Sequence, residues 1–437
     1  MRPPLPYLVL ALLIGSSAGG ATEDFLVGAD LSHLQFFESK GISYRDAGQP
    51  QDAVALLQQH GLTCVRLRLF TSSATQASAD PYNAINNLDY TVPLAVRVKQ
   101  AGLQLDLDLH YSDTWADPGH QAVPAAWTNL TFPALVQQLY SYNSNTIASF
   151  RAVGAMPDYV SIGNEITSGL LWPYGRVGGS YENATQWSQL GQLMKAAIQG
   201  IRDAAAGTHS PKIIVHLDRG GDWATTQWFF DNLNAQEVSF DIIGESYYPF
   251  WHGPLASLSN CLSNAATRYH KPVIVAETAF PWTNSHWTTA INGLNPSMTG
   301  QVQYVVALAP IVRGVPFGLG LGIFWWGAEY QGVTGVNEAG FDSTSFFDVG
   351  GNLLPAADGF GQLAAPLVLD IRSTTNGLLF TWPLSGAGLS LMTTTDLKPP
   401  TVWLPVVADA QIAGTTYRLT LPPDSSTQRF YRLRSNW

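Results

Sequence analysis

Cysteine and charged residues are both scarce in this chain of 437 residues. The only two cysteines, Cys64 and Cys261, are too few for a disulfide-dense scaffold. Lys, Arg, Asp and Glu together make up 12% of the residues, about half the usual share of roughly 25%. The formal charge of −10 and the lack of basic runs argue against nucleic acid and against anionic membranes as partners.

Long apolar runs are also absent beyond the N-terminus, so no later segment is predicted to span a bilayer. The N-terminus has one Arg, then an apolar run over residues 7–14, then small residues at 18–21. This pattern predicts a signal peptide over residues 1–21 and a secreted protein, extracellular or periplasmic. An oxidising compartment would permit a bridge between Cys64 and Cys261. The strand pattern around Cys64 and the helical pattern around Cys261 are at least as compatible with two buried free thiols.

Aromatic residues, in contrast, reach 11%, and the chain contains 14 Trp. Most of these Trp residues are expected to lie in the core. Few charges combined with many aromatic rings nevertheless suit a protein that handles a neutral, ring-shaped ligand.

Eight short apolar runs recur along the chain, and each is followed by a segment of helical character. They lie at residues 25–34, 62–70, 103–111, 159–166, 212–218, 239–248, 272–278 and 320–326. Alternation of strand and helix eight times predicts an α/β fold, a (β/α)₈ barrel over residues 22–362. An open doubly wound sheet is the alternative, but it calls for a Gly-rich phosphate-binding turn after the first strand, and the sequence has none there.

Polar residues alternate with aliphatic ones within these runs. Side chains of a strand alternate between two faces, so the aliphatic face is expected to pack on the helices and the polar face to point into the barrel. Active sites of such barrels form at the carboxyl ends of the strands. The inward residues nearest those ends, one per strand, are predicted to be Asp30, Arg68, His110, Glu165, Asp218, Tyr248, Glu277 and Trp326.

Other polar residues of the strands have simpler interpretations. Arg66, Asp106 and Asp108 lie deeper in the barrel and are predicted to form an interior ion-pair network rather than to take part in catalysis. His216 fits a core histidine and a site residue equally well. Glu245 is expected on the outward face of the sixth strand, buried against a helix and paired with an unidentified cation; a third active-site acid is the less favoured alternative.

The loops that follow the strands are rich in aromatic residues. Residues 110–127 include Trp115, Asp117 and His120, and further Trp residues follow the fourth and seventh strands, among them Trp282. Apolar faces of sugars stack on aromatic rings while their hydroxyl groups need polar partners. The loops therefore predict an extended cleft for a polysaccharide, attacked within the chain.

Several motifs together carry a resemblance to a known family. They are GADLSHLQFFESKG, VRLRLF, LDLHYSDTWADPGHQ, VSIGNEITSGLLWP, GESYYPFW and IVAETAFPW. From about residue 25 to 359, the chain resembles glycoside hydrolase family 53, the arabinogalactan endo-β-1,4-galactanases. The resemblance implies a retaining hydrolase of β-1,4-galactan in pectin side chains.

By the same resemblance, Glu165 is the general acid/base and Glu277 the nucleophile. Asn164 would bind the sugar 2-hydroxyl, Trp326 would lie under the sugar at the cleavage point, and His110 and Asp117 would line neighbouring subsites. Arg68 and Tyr248 would hydrogen-bond Glu277 and keep it ionised. Asp30, Trp115, Asp218 and Trp282 complete the predicted substrate-binding set. Retaining hydrolysis makes a matching demand, since it needs two carboxyl groups about 5 Å apart, one protonated and one ionised.

The sequence departs from the family in the eighth strand, where FWWGAEY replaces an expected Tyr-Trp-Glu-Pro pattern. The departure bears on the outer subsites and on product length. No cluster of Asp and Asn with calcium-ligand spacing follows the seventh or eighth strand, so we predict no metal and no cofactor. Two alternatives remain: a related barrel glycosidase acting on mannan or cellulose, and a non-catalytic carbohydrate-binding barrel.

The tail, residues 363–437, shows short alternating runs separated by turn residues, which predicts a small β-sandwich-like module. It could bind carbohydrate or act as a spacer or sorting module, and a structural appendage is slightly favoured. The protein is expected to be a monomer.

Overall fold

A closed barrel of eight parallel strands forms the centre of the computed structural model, which describes residues 24–422 and 428–435. Each strand lies beside the next one in the chain, and the eighth pairs with the first. The strands are β1 (Leu26–Asp30), β2 (Cys64–Leu69), β3 (Gln104–Leu109), β4 (Tyr159–Ile162), β5 (Lys212–Leu217), β6 (Ile242–Ser246), β7 (Val273–Thr278) and β8 (Gly320–Trp325). All eight predicted runs contain a strand, so the predicted barrel is confirmed. The predicted signal peptide lies outside the described residues.

Helices occupy the connections between the strands and surround the barrel. They are α1 (Leu34–Ser39), α2 (Ala53–Gln59), α3 (Ala74–Ala79), α4 (Leu88–Gln100), α5 (Phe132–Ala152), α6 (Ala184–Ala205), α7 (Trp223–Ala235), α8 (Leu255–Tyr269), α9 (Met298–Arg313) and α10 (Pro355–Gly361). Two short antiparallel hairpins lie in the loops, at residues 45–50 and 169–176. None of the described helices is both long enough and apolar enough to cross a membrane.

The two faces of the barrel strands carry two separate apolar clusters. The outward residues of β2, Val65, Leu67 and Leu69, are fully buried in the large cluster shared with the helices. A second cluster consists of strand residues alone and fills the amino-terminal end of the barrel. Its members are Leu26, Cys64, Tyr159, Ile214, Ile242, Ile274, Ala276, Leu321 and Phe324.

An irregularity in β7 decides the direction of Glu277. Val273 and Val275 belong to the outer cluster, and strict alternation would place Glu277 on that same outer face. Between β6 and β7 the register shifts, so that Glu245 pairs with Val275 but Ser246 pairs with Glu277. A β-bulge of this kind re-aims the side chain that follows it. The shift turns Glu277 into the barrel.

Glu245 points outward from β6 and is fully buried against the helices, as predicted. Its hydrogen bonds come from the hydroxyl of Thr226 at 2.9 Å and the backbone N–H of Arg219 at 3.0 Å. The predicted pairing with a cationic side chain is therefore wrong. Burial, only partly offset by these two donors, raises the pKa of Glu245 well above its usual range, so the carboxyl group is favoured in its neutral form.

Cys64 and Cys261 are both buried and free, so the bridge that the sequence left open does not form. Cys64 lies inside the barrel, and Cys261 lies on α8 with its sulfur 3.4 Å from the hydroxyl of Thr226.

The C-terminal strands form two antiparallel sheets. They are β9 (Asp370–Thr374), β10 (Gly377–Pro383), β11 (Leu389–Thr394), β12 (Leu404–Pro405), β13 (Gln411–Ala413), β14 (Thr416–Leu421) and β15 (Phe430–Ser435). One sheet has the order β9-β10-β14-β13 and the other β12-β11-β15. Five buried residues from both sheets make a common core: Phe380, Trp382, Leu391, Leu419 and Leu433. The predicted all-β character of this segment is confirmed.

Candidate active site

Two carboxyl groups face each other at the carboxyl end of the barrel. Glu165 lies three residues after the end of β4 and has a left-handed backbone with φ of 50°, a conformation that non-glycine residues seldom adopt. Glu277 lies near the end of β7. One carboxylate oxygen of each and a ring nitrogen of His216 all lie within 4.8 Å of one another. This spacing agrees with the roughly 5 Å separation of retaining glycosidases.

Glu277 is held by two strong donors. Arg66 donates to Oε1 at 2.7 Å, and the hydroxyl of Tyr248 donates to Oε2 at 2.8 Å. The expected contact with Tyr248 is confirmed. The expected contact with Arg68 is wrong, because Arg66, one layer deeper on the same face of β2, takes that place.

Arg66 connects Glu277 to the rest of the interior. Its Nη2 donates to Asp108 at 2.7 Å and to the side-chain oxygen of Asn164 at 2.9 Å, and its Nη1 lies 3.3 Å from Asp30. The predicted interior ion-pair network thus exists, but it includes the candidate nucleophile. A guanidinium group forks between two carboxylates in this way more readily than an ammonium group does.

Arg68 supports the aromatic floor of the site instead. It pairs with Asp30 at 3.3 Å and contacts Nδ1 of His33 at 2.7 Å. Its guanidinium carbon lies 4.2 Å from the ring centre of Trp115 and 4.6 Å from that of Trp326. Cation–π contacts to both rings fix the orientation of the two indoles.

Glu165 has different surroundings. Its side chain accepts a hydrogen bond from the hydroxyl of Ser246 at 2.6 Å, and Ser246 in turn lies 2.8 Å from Nε2 of the buried His216. Burial, followed by the charges of Glu277 and Asp218, raises the pKa of Glu165 well above its usual range. The position of Glu165 therefore favours a protonated carboxyl group.

Burial also raises the pKa of Glu277, but Arg66 and Tyr248 oppose this rise. The sequence predicted that the donors to Glu277 favour its ionised form, and these two act in that direction, although burial leaves the pKa above its usual value. The pKa of Glu165 is nevertheless raised more than that of Glu277, which is the predicted order, because Glu277 has a cationic partner and Glu165 has only a hydroxyl donor.

A cavity of about 490 Å³ opens above the two carboxyl groups. Most of the predicted site residues form its wall: Trp115, Asp117, Asn164, Glu165, Asp218, Tyr248, Glu277 and Trp326. The indole N–H of Trp326 is buried and has no hydrogen-bond partner among the described residues.

Four predicted substrate-binding residues do not line this cavity: Asp30, Arg68, His110 and Trp282. Asp30 pairs with both interior arginines. His110 accepts from the backbone N–H of Ala116 at 2.9 Å, and its Nε2 lies 2.9 Å from Asp108, so it anchors the loop after β3. The backbone N–H of Trp282 donates to Ser343 at 2.9 Å, which ties two loops together.

The loops contribute residues that sequence reasoning missed. They are Tyr82, Asn83, Pro118, Trp251, His252, Tyr330, Asn337, Glu338 and Phe341. Trp251 is the most telling, because it is 60% exposed and adjoins the cavity. Its presence in the motif GESYYPFW was the available signal, since a Trp just beyond a strand's carboxyl end lies on the rim.

Comparison with known proteins places the chain in a family. A model of glycosyl hydrolase family 53 matches residues 26–360. An arabinogalactan endo-β-1,4-galactanase from Humicola insolens is 35% identical over 330 residues, 73% of this chain and 94% of its own length. An uncharacterised protein of Niallia circulans is 40% identical over 316 residues, 70% of this chain and 83% of its own length.

Solved structures give the same result. A fungal β-1,4-galactanase aligns with a TM-score of 0.68 and 33% identity, over 76% of this chain and 98% of its own. The GH53 catalytic domain of Ignisphaera aggregans aligns with a TM-score of 0.70 and 31% identity, over 83% of this chain and all of its own. The chain belongs to glycosyl hydrolase family 53.

Proposed function

We propose that the protein is a retaining endo-β-1,4-galactanase that cleaves β-1,4-galactosidic bonds in the galactan and arabinogalactan side chains of pectin. The observation that carries this proposal is the pair Glu165 and Glu277, whose oxygens approach within 4.8 Å while their partners differ in charge. Relatives named as galactanases in the same family support the choice of substrate.

In the first step, Glu277 attacks the anomeric carbon from the α face. The bond from that carbon to the glycosidic oxygen breaks, and the proton of Glu165 moves to the departing oxygen. Arg66 and Tyr248 hold both oxygens of Glu277 and orient the carboxylate for attack. The product is a covalent galactosyl ester of Glu277 and a shortened chain.

In the second step, Glu165, now ionised, takes a proton from water, and the resulting hydroxide bonds to the anomeric carbon. The ester bond to Glu277 breaks, and its carboxylate returns to Arg66 and Tyr248. Two displacements at one carbon give net retention, so the new reducing end is the β-anomer. Glu165 is protonated again and both groups regain their starting states.

The wall of the cavity favours a neutral polymer. It contains five carboxyl residues but no Lys or Arg, and four of its aromatic residues are Trp115, Tyr248, Trp251 and Trp326. Aromatic faces suit the apolar side of galactose, and the negative potential disfavours an anionic glycan. Arg66 lies behind Glu277 and neutralises it internally.

Domain organisation is part of the proposal. Residues 22–362 would be the catalytic barrel and residues 363–437 an attached β module, with residues 1–21 removed on secretion and the protein a monomer. N-terminal sequencing of protein recovered outside the producing cell, together with its hydrodynamic mass, tests these points.

A panel of β-1,4-galactan, arabinogalactan, mannan and cellulose tests the substrate. Reducing ends should appear with galactan, with a rapid fall in viscosity that marks attack within the chain. NMR of the first products should show the β-anomer. Activity on mannan but not on galactan would refute the proposed substrate and leave the mechanism intact. An α-anomer as the first product would refute the two-step mechanism. No activity on any polymer would favour a carbohydrate-binding protein.

A further inference from the structure

A buried hydroxyl and a buried imidazole lie directly behind Glu165. Ser246 ends β6 and His216 lies in β5, and both are fully buried. The hydroxyl oxygen of Ser246 lies 2.6 Å from Oε1 of Glu165 and 2.8 Å from Nε2 of His216. No other hydrogen bond to the carboxyl group of Glu165 is found among the described residues. The same register shift that turns Glu277 inward sets the position of Ser246.

The direction of these hydrogen bonds follows from what each group can donate. Burial, then the nearby Arg66, lowers the pKa of His216 to about 3, so the imidazole is neutral and has one N–H. Nδ1 of His216 is buried without a partner in the described part of the chain. A proton on Nδ1 would leave a buried donor unpaired, which is rare in native proteins. The proton therefore belongs on Nε2, which donates to Ser246.

A serine hydroxyl has one hydrogen. Because the oxygen of Ser246 accepts from His216, its hydrogen is left for Oε1 of Glu165. Oε1 is thereby occupied whether Glu165 is protonated or ionised, and Oε2 is the oxygen free to carry the catalytic proton. The proton can leave and return at one oxygen without rotation of the carboxyl group.

We propose that Ser246 and His216 are positioning residues for the acid/base step, which together assign the transferable proton to Oε2 of Glu165. This inference rests on the proposed function, in which Glu165 is the acid/base. Neither residue touches the substrate. They act through Glu165 by fixing which oxygen gives up the proton to the departing sugar and later takes one from water.

The test uses Ser246→Ala in the full chain with aryl β-1,4-galactobiosides of graded leaving-group pKa. A dinitrophenolate departs without a proton, whereas a galactan chain needs one. Turnover of galactan and of the poorest aryl leaving group should fall about 10-fold with KM nearly unchanged, because a hydrogen bond to a charged group is lost. kcat/KM for the dinitrophenyl substrate should remain within about 2-fold, so the leaving-group dependence becomes steeper.

The pH profile gives a second readout. Glu165 must be protonated in the free enzyme, so the basic limb of kcat/KM reports its ionisation. Ser246 lowers the pKa of Glu165, and its removal should move that limb to higher pH. The other charged groups that act on Glu165, namely Glu277, Asp218 and Arg66, stay unchanged in this variant. His216→Leu should move both readouts in the same direction by less, since the hydroxyl remains but loses its orientation.

Three comparison variants complete the design. Ser246→Thr keeps the hydroxyl and should restore both readouts, and Ser246→Cys, of nearly equal volume, serves if the alanine variant fails to fold. Ser161→Ala removes another buried hydroxyl, on β4, whose partner is Asp106 and not Glu165. It should leave the leaving-group dependence and the basic limb unmoved.

The outcomes separate this inference from the proposed function. Suppose that Glu165→Ala steepens the leaving-group dependence. If Ser246→Ala then lowers kcat/KM equally for every substrate and leaves the basic limb of the pH profile in place, Ser246 is merely structural. In that case this inference fails while the proposed function stands. If Glu165→Ala itself leaves the leaving-group dependence unchanged, Glu165 is not the acid and both fail.

Discussion

The surroundings of Glu277 and of Glu165 differ in one essential respect, although both carboxyl groups lie at the carboxyl end of the barrel with oxygens within 4.8 Å of each other. Glu277 has a guanidinium group and a phenol on its two oxygens, and Arg66 is itself anchored by Asp108. Glu165 has a single hydroxyl donor with a neutral imidazole behind it. Under the proposed mechanism, this difference suits two identical side chains to opposite tasks, because a cationic partner is present at one and absent at the other.

The largest expected effect comes from removing the carboxyl groups themselves. Glu277→Ala should lower galactan turnover by at least ~10⁴-fold, because no covalent intermediate can form. Glu165→Ala should lower it by ~10²–10⁴-fold, the usual contribution of general acid–base catalysis. Both rates are measured as reducing-sugar release, with circular dichroism to show that each variant folds.

Added azide distinguishes the two roles by stereochemistry. With an activated aryl galactobioside, azide should replace the missing nucleophile in Glu277→Ala and attack from the α face, which yields the α-galactosyl azide. In Glu165→Ala it should attack the covalent intermediate from the opposite face and yield the β-azide. The reverse pairing of anomer and variant would exchange the roles assigned to the two residues.

Replacement of Arg66 and of Arg68 by lysine, one at a time, tests which arginine supports the carboxylate of Glu277. Arg66→Lys keeps a charge but loses the fork between Glu277 and Asp108, so kcat/KM should fall about 100-fold. Weaker support raises the pKa of Glu277, which must be ionised to attack, and the acidic limb of kcat/KM should move to higher pH. Rates on galactan over a range of pH measure both effects.

Arg68→Lys is the matched control, since Arg68 contacts Trp115 and Trp326 rather than Glu277. It should change KM by a few-fold, as cation–π contacts of about 1 kcal/mol are weakened, and leave the acidic limb in place. A shift of the limb in Arg68→Lys but not in Arg66→Lys would restore the assignment made from the sequence.

Which of the two arginines contacts Glu277 could not be predicted from the sequence. Alternation in β2 correctly put Arg66 and Arg68 on the inward face, because the outward face must pack on helices. Which of them reaches Glu277 depends on depth in the barrel, and depth is set by the pairing of different strands. Arg66 lies level with Asp30 and Asp106, a register that no local pattern encodes.

Barrel and strand positions were predictable for a related reason: apolar strands that alternate with helices need a sheet covered by helices, and the lack of a Gly-rich turn after the first strand disfavoured the open form. The register shift at Glu245 and Ser246 could not be read from β6 or β7 alone, since a bulge is a property of a strand pair. Loop residues such as Tyr330 escaped the site prediction because their positions depend on contacts made far along the chain, here that of its hydroxyl 3.5 Å from Nδ1 of His33.

Tyr248→Phe probes the second donor of Glu277. Loss of one charge-assisted hydrogen bond should lower kcat/KM about 10-fold and move the acidic limb to higher pH in the same sense as Arg66→Lys. The neighbouring Tyr247 provides the control, because it is buried on the other face with its hydroxyl bound to the carbonyl of Gly253. Tyr247→Phe should leave the pH profile unchanged, and equal shifts in both variants would argue for a general disturbance of β6.

The smallest effect is on stability, and here the two carboxyl groups should respond to different extents. The folded-state pKa of Glu165 is raised, so its contribution to stability is present below the unfolded pKa near 4.5 and is lost as pH rises through the folded value. The side chain of Glu165→Gln does not ionise, so this variant does not lose stability at this position as the pH rises. Its Tm should exceed that of the parent protein by a few degrees at neutral pH, at ~2 °C per kcal/mol, and the gap should close toward pH 4.

Glu277→Gln should stabilise the protein less. The pKa of Glu277 is also raised, so removal of its charge avoids a loss of the same sign, but the change leaves Arg66 with one anionic partner fewer in a buried network, and an incompletely paired buried charge is costly. Its Tm at neutral pH should therefore lie below that of Glu165→Gln, measured by calorimetry in the same buffers. A stabilisation of equal size in both variants would mean that Arg66 does not distinguish the two sites, because burial alone would then govern both carboxyl groups.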